Sequence, residues 1–308
     1  MSSSNHLPLS GRDLLAALCV VLIWGTNFIA MKVGLRFLTP FQLGAGRYLF
    51  AVLPLILFVR PPRLPARWVV LYGLCQGVGQ FGLLFLSLKV GMSAALASVL
   101  LQTQVFFTAF FGFVLLGEHA SRALRGGLLL AALGLACFGA NYLAPGQAGA
   151  TTAGGFALCL AAAAMWAASN IVVRRAQQAT PQFDVVAFMV WSSTVPVLPF
   201  VALSLAFDDP ATRWQWQAAP AQVWASLAYL GWMATVLAYA MWTGLLKRHP
   251  VNRVAPFSLG VPVVGISAGM LVLGDRINGW QWAGTALIVA ALGCVMFGGR
   301  WLNRAARA

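Results

Sequence analysis

Ten apolar stretches run through the sequence, each near the roughly 20 residues that cross about 30 Å of hydrocarbon. Their approximate limits are 13–34, 41–59, 68–88, 92–116, 124–143, 153–173, 185–206, 222–245, 254–273 and 280–299. A chain divided this way has little choice of fold. In lipid every backbone polar group must be bonded internally, and runs of this length meet that need as helices. The sequence therefore predicts an all-α, polytopic membrane protein of ten transmembrane helices. The first run is too long for the apolar core of a signal peptide, and nine more follow it. Composition agrees: 60% of the residues are hydrophobic and 8% are charged, where a soluble domain carries about 25% charged. Soluble enzymes and secreted modules are set aside on that ground. Cys19, Cys75, Cys137, Cys159 and Cys294 all lie inside apolar runs, without metal-like spacing or a disulfide framework. No cofactor and no metal are expected.

The formal charge of +14 would ordinarily point to nucleic acid or another acidic partner. The positions of the basic residues remove that reading. On the side of the first span's start lie Arg12, Arg60, Arg63, Arg67, Arg122, Arg125, Arg174, Arg175, Lys247, Arg248, Arg253, Arg300, Arg304 and Arg307. The other side holds Lys32, Arg36, Lys89, Arg213 and Arg276, and Arg47 is embedded in the second span. Such a bias puts both termini in the cytoplasm by the positive-inside rule. An odd number of spans would have scrambled the alternation. The expected setting is a bacterial inner membrane, the partners the bilayer and a small-molecule substrate. No nucleic acid is expected, and the oligomeric state is expected to be a monomer or weak dimer.

The chain also repeats itself. Residues 22–33 resemble 164–175 at an offset of 142, which pairs Trp24 with Trp166 and Lys32 with Arg174. Leu115-Leu116-Gly117-Glu118 matches Val272-Leu273-Gly274-Asp275 at an offset of 157. The extra residues of the second copy fall in the Asp208–Gln222 loop. The two repeats are expected at 13–143 and 153–299. Each holds five spans, an odd number, so the copies must face opposite ways across the bilayer. Inverted repeats of this kind put a binding site near the midplane and work by rocking. Several motifs then become familiar: Trp24 to Phe28 (Trp-Gly-Thr-Asn-Phe), Pro40 followed by Gly46-Arg47-Tyr48-Leu49, and Gly274 to Ile288, with Glu118 and Asp275 before the last span of each half. The pattern resembles the EamA family of the drug/metabolite transporter superfamily, and within it the YddG-type aromatic amino-acid exporters. That resemblance implies outward movement of small metabolites. It also implies a cavity enclosed by spans 1–4 and 6–9, with spans 5 and 10 peripheral.

Polar and aromatic groups at mid-span depth are the candidate site, because hydrocarbon offers them no partner. Trp24, Asn27, Gln80, Gln102, Trp166, Asn170, Tyr239 and Trp242 are expected to bind substrate, with Gln76, Ser169, Tyr229 and Trp232 nearby in the same spans. Amides would bond the ammonium and carboxylate of an amino acid, and rings would pack on its side chain. The plainer alternative is that each amide bridges helices and each ring fills core. Gln102 and Gln104 lie about 200° apart on a helix, so one of the two faces the cavity. Arg47 sits about seven residues, or roughly 10 Å, into its span. A charge there costs at least about 2.5–3.5 kcal/mol. Holding a substrate carboxylate is one reading; the preferred one is structural, a side chain that snorkels to bond span-end carbonyls. Pro256 and Pro262 in span 9 are expected to bend the helix and serve structure or gating.

The six acids and His6, His119 and His249 all sit at span ends or in loops. No proton relay is therefore expected at mid-membrane, and the chain reads as a facilitator or exchanger. Two motifs are decoys. Gly77-x-Gly79-x-x-Gly82 matches a dinucleotide fingerprint but lies inside a span with no strand before it. Gly265-Ile-Ser267-Ala-Gly269 matches a serine-hydrolase elbow, and an intramembrane serine hydrolase is the rival from the enzyme class. Its nearest base, His249, lies about 27 Å away along a helix. The reading is thus an exporter of small metabolites, amino acids first, with nucleobases or amphipathic drugs as alternative cargo, and not an enzyme.

Overall fold

The computed structural model describes residues 10–116, 122–140, 151–249 and 251–305, and the regular structure among them is helical throughout. Ten segments follow in order: α1 (Gly11–Gly34), α2 (Pro40–Val52), α3 (Ala66–Lys89), α4 (Ala94–Leu115), α5 (Arg122–Ala140), α6 (Ala153–Ala179), α7 (Val185–Phe207), α8 (Ala221–Leu246), α9 (Ala255–Leu273) and α10 (Gly279–Phe297). Nine of them, among the described residues, are long and apolar enough to cross a bilayer. The chain is a multi-pass membrane protein. Large apolar side chains such as Leu57, Phe58, Leu198 and Leu271 point out of the bundle, as contact with lipid requires. His6, Glu118 and His119 lie outside the described residues.

The exception is α2, which corrects the expected span 41–59. It starts well, with Pro40 in the first turn and a capping box between Thr39 and Gln42. It ends early because Pro54 has no N–H and pushes the residue before it out of the helical region. Leu53 is accordingly extended, at φ −90° and ψ 135°, and only a short 3-10 turn, Leu55–Leu57, follows. Its 13 residues reach about 20 Å at about 1.5 Å per residue, and extended Leu53 and the 3-10 turn continue the segment beyond the regular helix.

The packing has the two-fold exchange that an inverted repeat demands. α1 packs on α8 and α9, while its repeat partner α6 packs on α3 and α4, the partners of α8 and α9. α2 meets α7, α4 meets α9, and α5 meets α10, each against its own counterpart. Irregular backbone follows the same symmetry. α3 and α8 widen into π-helical turns at Gly73–Gly82 and Tyr229–Leu237. The α4 chain tightens into a 3-10 turn at Leu101–Thr103, and α9 does so at Ala255–Leu259, which contains Pro256. Pro262 is buried near the start of the α-helical part of α9. Such departures from regular pitch inside helices concentrate at functional sites.

Small residues let the helices approach closely. At the α5–α10 contact, a Cβ on Gly284 would lie 2.8 Å from the Gly134 carbonyl, and one on Gly127 would lie 3.1 Å from the Ala291 carbonyl. Gly127 to Gly284 and Gly134 to Ala291 share the 157-residue offset of the repeat. Gly284→Leu is therefore expected to push α5 and α10 apart and destabilise the fold by about 1–3 kcal/mol. Because this pair lies away from the polar centre, the half-saturating concentration for any transported substrate should not change. Melting in detergent and transport assays on the purified variant check both halves of that expectation.

Candidate functional site

Four clusters of polar and aromatic side chains occupy the middle of the bundle. In the first, α2 presents Arg47, which is only 1% exposed. Its guanidinium donates to Asn27 Oδ1 on α1 at 3.4 Å and to Thr235 Oγ1 on α8 at 3.0 Å. Its central carbon lies 3.8 Å over the centroid of the Phe81 ring on α3. Arg47 Nε is buried without a hydrogen-bond partner. The side chain does not snorkel to span-end carbonyls; α2 is short and its middle faces the bundle interior, so the guanidinium is directed inward. Taking an ion out of water costs several kcal/mol even after relaxation. The Phe81 face offsets about 2 kcal/mol of that when desolvated, and each neutral acceptor offsets roughly 1.5–3 kcal/mol.

The second cluster is aromatic. Trp24 on α1 meets Tyr239 edge-on at 5.1 Å and Trp242 at 5.5 Å, both from α8. Its Nε1 donates to the Ala234 carbonyl at 3.1 Å, inside the π-helical turn. The third joins α3 to α6: Gln76 Nε2 donates to Gln80 Oε1, and Ser169 Oγ donates to Gln76 Oε1. The fourth joins α6 to α4, where Asn170 Nδ2 donates to Gln104 Oε1 at 2.9 Å and to Thr108 Oγ1 at 3.1 Å. Gln102 is apart from all four and donates to the Ser258 carbonyl on α9 at 3.2 Å. Trp166 is half-buried against the main apolar core, away from Trp24, and its carbonyl accepts from Ser169 at 2.7 Å. The expected set is thus divided among separate clusters, with Gln102 and Trp166 outside them.

Open space at the centre is small. A void of about 20 Å³ adjoins Arg47, Gln76, Tyr48, Tyr72, Ser192 and Tyr239. A second, of about 50 Å³, lies beside it between α2, α7 and α8. The two share Met189, Ser193, Thr235 and Tyr239. The first has room for about one water; ligand pockets run to roughly 300 Å³ or more. Both rims are braced in this conformation. Where α1 starts, Asp13 accepts from Arg248 at 2.9 Å and pairs with His249 at 2.9 Å. Where α1 ends, Lys32 donates to the Leu88 carbonyl at 2.8 Å and Lys89 to the Leu35 carbonyl at 3.1 Å.

Several participants lie beyond the set that the sequence singles out. Thr235, Ser192 and Ser193 are hydroxyls at mid-span, and the polarity criterion that selects Asn27 would find them too. Phe81, Tyr48 and Tyr72 meet the aromatic criterion as Tyr239 does, but nothing in the sequence ranks them above the many other rings in apolar runs. Asp275 serves the helix framework, where its Oδ2 accepts from the Ala95 N–H at 2.9 Å and so caps the first turn of α4. Ser267, in the hydrolase-like motif, lies on the exposed face of α9. Gly265 and Gly269 of that motif pack against Ser98 and Ala95 instead.

The comparisons with known proteins agree with this architecture. The model of the EamA-like transporter family matches residues 12–140 and again 153–297. A relative in Salmonella typhimurium, named a probable amino-acid metabolite efflux pump, is 40% identical over 97% of this chain and 99% of its own length. The Escherichia coli protein of the same name is 38% identical over 95% of this chain and 97% of its own. A probable terminal-alkyne amino-acid exporter of Streptantibioticus cattleyicolor is 26% identical over 94% of each. One solved crystal structure superposes with a TM-score of 0.62 at 20% identity, over 94% of this chain and 98% of that one, which supports the fold alone. With a family match in each half, helices that pair across a two-fold and irregular turns in matching places, this chain belongs to the EamA-like transporter family.

Proposed function

We propose that this protein exports small metabolites from the cytoplasm across a bacterial inner membrane, amino acids with aromatic or apolar side chains first among them. The halves 13–143 and 153–299 would rock about the central clusters, so that the walls shared by the two voids separate on one side and then the other. The observation that carries this reading is the buried polar and aromatic centre, built by both repeats and tied across both rims by bonds between helix ends. Relatives named as amino-acid metabolite efflux pumps support the cargo class. Trp24, Asn27, Gln80, Gln102, Trp166, Asn170, Tyr239 and Trp242 remain the proposed binding set, with Pro256 and Pro262 at the bend that moves. Both termini would face the cytoplasm, as the basic residues indicate. A monomer or weak dimer would suffice, without nucleic acid.

The described acids lie at helix ends or in a loop: Asp13 on Arg248 and His249, Asp184 on the first amides of α7, Asp208 on Thr39 and Ser204, Asp209 on the Ala211 amide, Asp275 on α4. A facilitator or exchanger follows from that distribution. Counterflow in liposomes tests the whole reading. Vesicles preloaded with an aromatic amino acid should take up its labelled form, and a pH gradient alone should drive no accumulation. Exchange of nucleobases or cationic dyes with no amino-acid exchange would overturn the cargo assignment. Accumulation on a pH gradient alone would overturn the coupling.

A further inference from the structure

Arg47 is a buried cation at mid-span, and among the described residues no carboxylate lies within ion-pair distance of it. Its oxygen partners, Asn27 and Thr235, are both neutral, and the Asn27 contact is long at 3.4 Å. The Phe81 ring covers one face of the guanidinium and leaves its N–H edge for acceptors, while Nε has none. The polar groups that line the adjoining void are hydroxyls and an amide, from Tyr48, Tyr72, Ser192, Tyr239 and Gln76, set among apolar neighbours such as Phe81, Met189 and Pro196. None of these groups can neutralise the cation, and Ser192 and Gln76 already donate within the protein, to the Phe188 carbonyl and to Gln80.

Guanidinium offers donors in a fixed fork that matches a carboxylate two bonds at a time. An ionised acceptor makes roughly twice as strong a bond as the neutral oxygens now in place. We infer that Arg47 is the carboxylate-binding residue of the transport site, and that the substrate itself supplies the counterion that α2 lacks. This assignment rests on the exporter reading and narrows it. Cargo must carry a free carboxylate, so nucleobases and cationic dyes are rejected, and an amino-acid amide is rejected although its side chain is unchanged.

The test uses the full chain in detergent and in liposomes, with phenylalanine against phenylalaninamide and with sodium chloride as the inorganic anion. Phenylalanine should raise the wild-type melting temperature and exchange in counterflow, and the amide should do either at least about tenfold less well. Arg47→Gln should abolish the difference between acid and amide. Arg47→Lys should keep the preference for the acid with a half-saturating concentration raised by roughly tenfold, since an ammonium lacks the fork. If Arg47→Gln does not fold, the lysine variant decides, and an unchanged half-saturation there overturns the assignment. So does equal response of the wild type to acid and amide, a folded Arg47→Gln that still prefers the acid, or stabilisation by chloride equal to that by phenylalanine. If the acid stabilises the wild type through Arg47 but no exchange occurs, the exporter reading fails while the carboxylate site stands.

Discussion

Replacing Gly77 with valine is expected to leave little folded protein to recover from the membrane. A Cβ at this position would lie 2.0 Å from Pro196 Cγ and 2.7 Å from Pro196 Cβ. Carbon atoms pack at about 3.5–4.0 Å, so α3 and α7 would have to move apart by well over 1 Å. The proline ring cannot swing aside, because it is tied to its own backbone. Overpacking of this kind typically costs about 1–3 kcal/mol and occasionally more, against a total stability of about 5–15 kcal/mol. Here the obstacle is rigid and the added side chain branches at Cβ. The displacement also falls beside Gln76 and Gln80 on α3 and the Met189–Ser193 wall of the voids, so whatever folds should transport poorly. Gly79→Ala is the control. Its Cβ would meet Met165 Cε at 2.4 Å, the far end of a flexible side chain that can take another rotamer, and Met165 Cβ at 3.1 Å, which asks for a shift of only a few tenths of an ångström. Size-exclusion recovery and melting temperature should therefore fall sharply for Gly77→Val and little for Gly79→Ala. Equal melting of Gly77→Val and wild type would show that the α3–α7 contact is not rigid.

The fold was legible because lipid enforces it: a run long enough to span must bond its own backbone, and apolar length is visible in sequence. The second span broke the rule at one residue, Pro54, whose missing N–H acts locally and is not registered by a count of apolar positions. The repeat was legible for a different reason, since Trp24 pairs with Trp166 at an offset of 142 and Glu118 with Asp275 at 157, in the same order along both halves. Repeat position nevertheless does not carry the same neighbours with it. Tyr239 and Trp242, which enclose Trp24, have Gly82 and Phe85 at the corresponding offset of 157 in the first half. No matching aromatic pair therefore stands at those positions for Trp166, which packs on the apolar core. The inward turn of Arg47 depends on which neighbours α2 meets, and that is a property of packing between helices, not of any window along the chain.

Trp24→Ala is expected to abolish transport, while Trp24→Phe should retain most of it. The alanine variant removes the ring from between Tyr239 and Trp242 and cuts the bond to the Ala234 carbonyl. In soluble cores a Trp→Ala change costs about 3–5 kcal/mol. Phenylalanine keeps an aromatic surface and loses chiefly one hydrogen bond, typically about 1 kcal/mol. The location makes the difference functional as well as structural. Ala234 precedes Thr235, the residue that accepts from Arg47, so Trp24 holds the π-helical turn that orients the guanidinium's partner. A ring that only braces this turn and a ring that also contacts cargo predict different kinetics. A brace alone would let Trp24→Phe melt lower while its half-saturating phenylalanine concentration stays at the wild-type value. A ring that packs on the substrate, as proposed, would also raise half-saturation when the larger indole face becomes phenyl, by less than the ~0.5–1.5 kcal/mol that a whole ring pair is worth. Alanine at position 24 with wild-type melting and transport would exclude both roles, and would leave the Trp24–Tyr239–Trp242 cluster as packing that the exporter can do without.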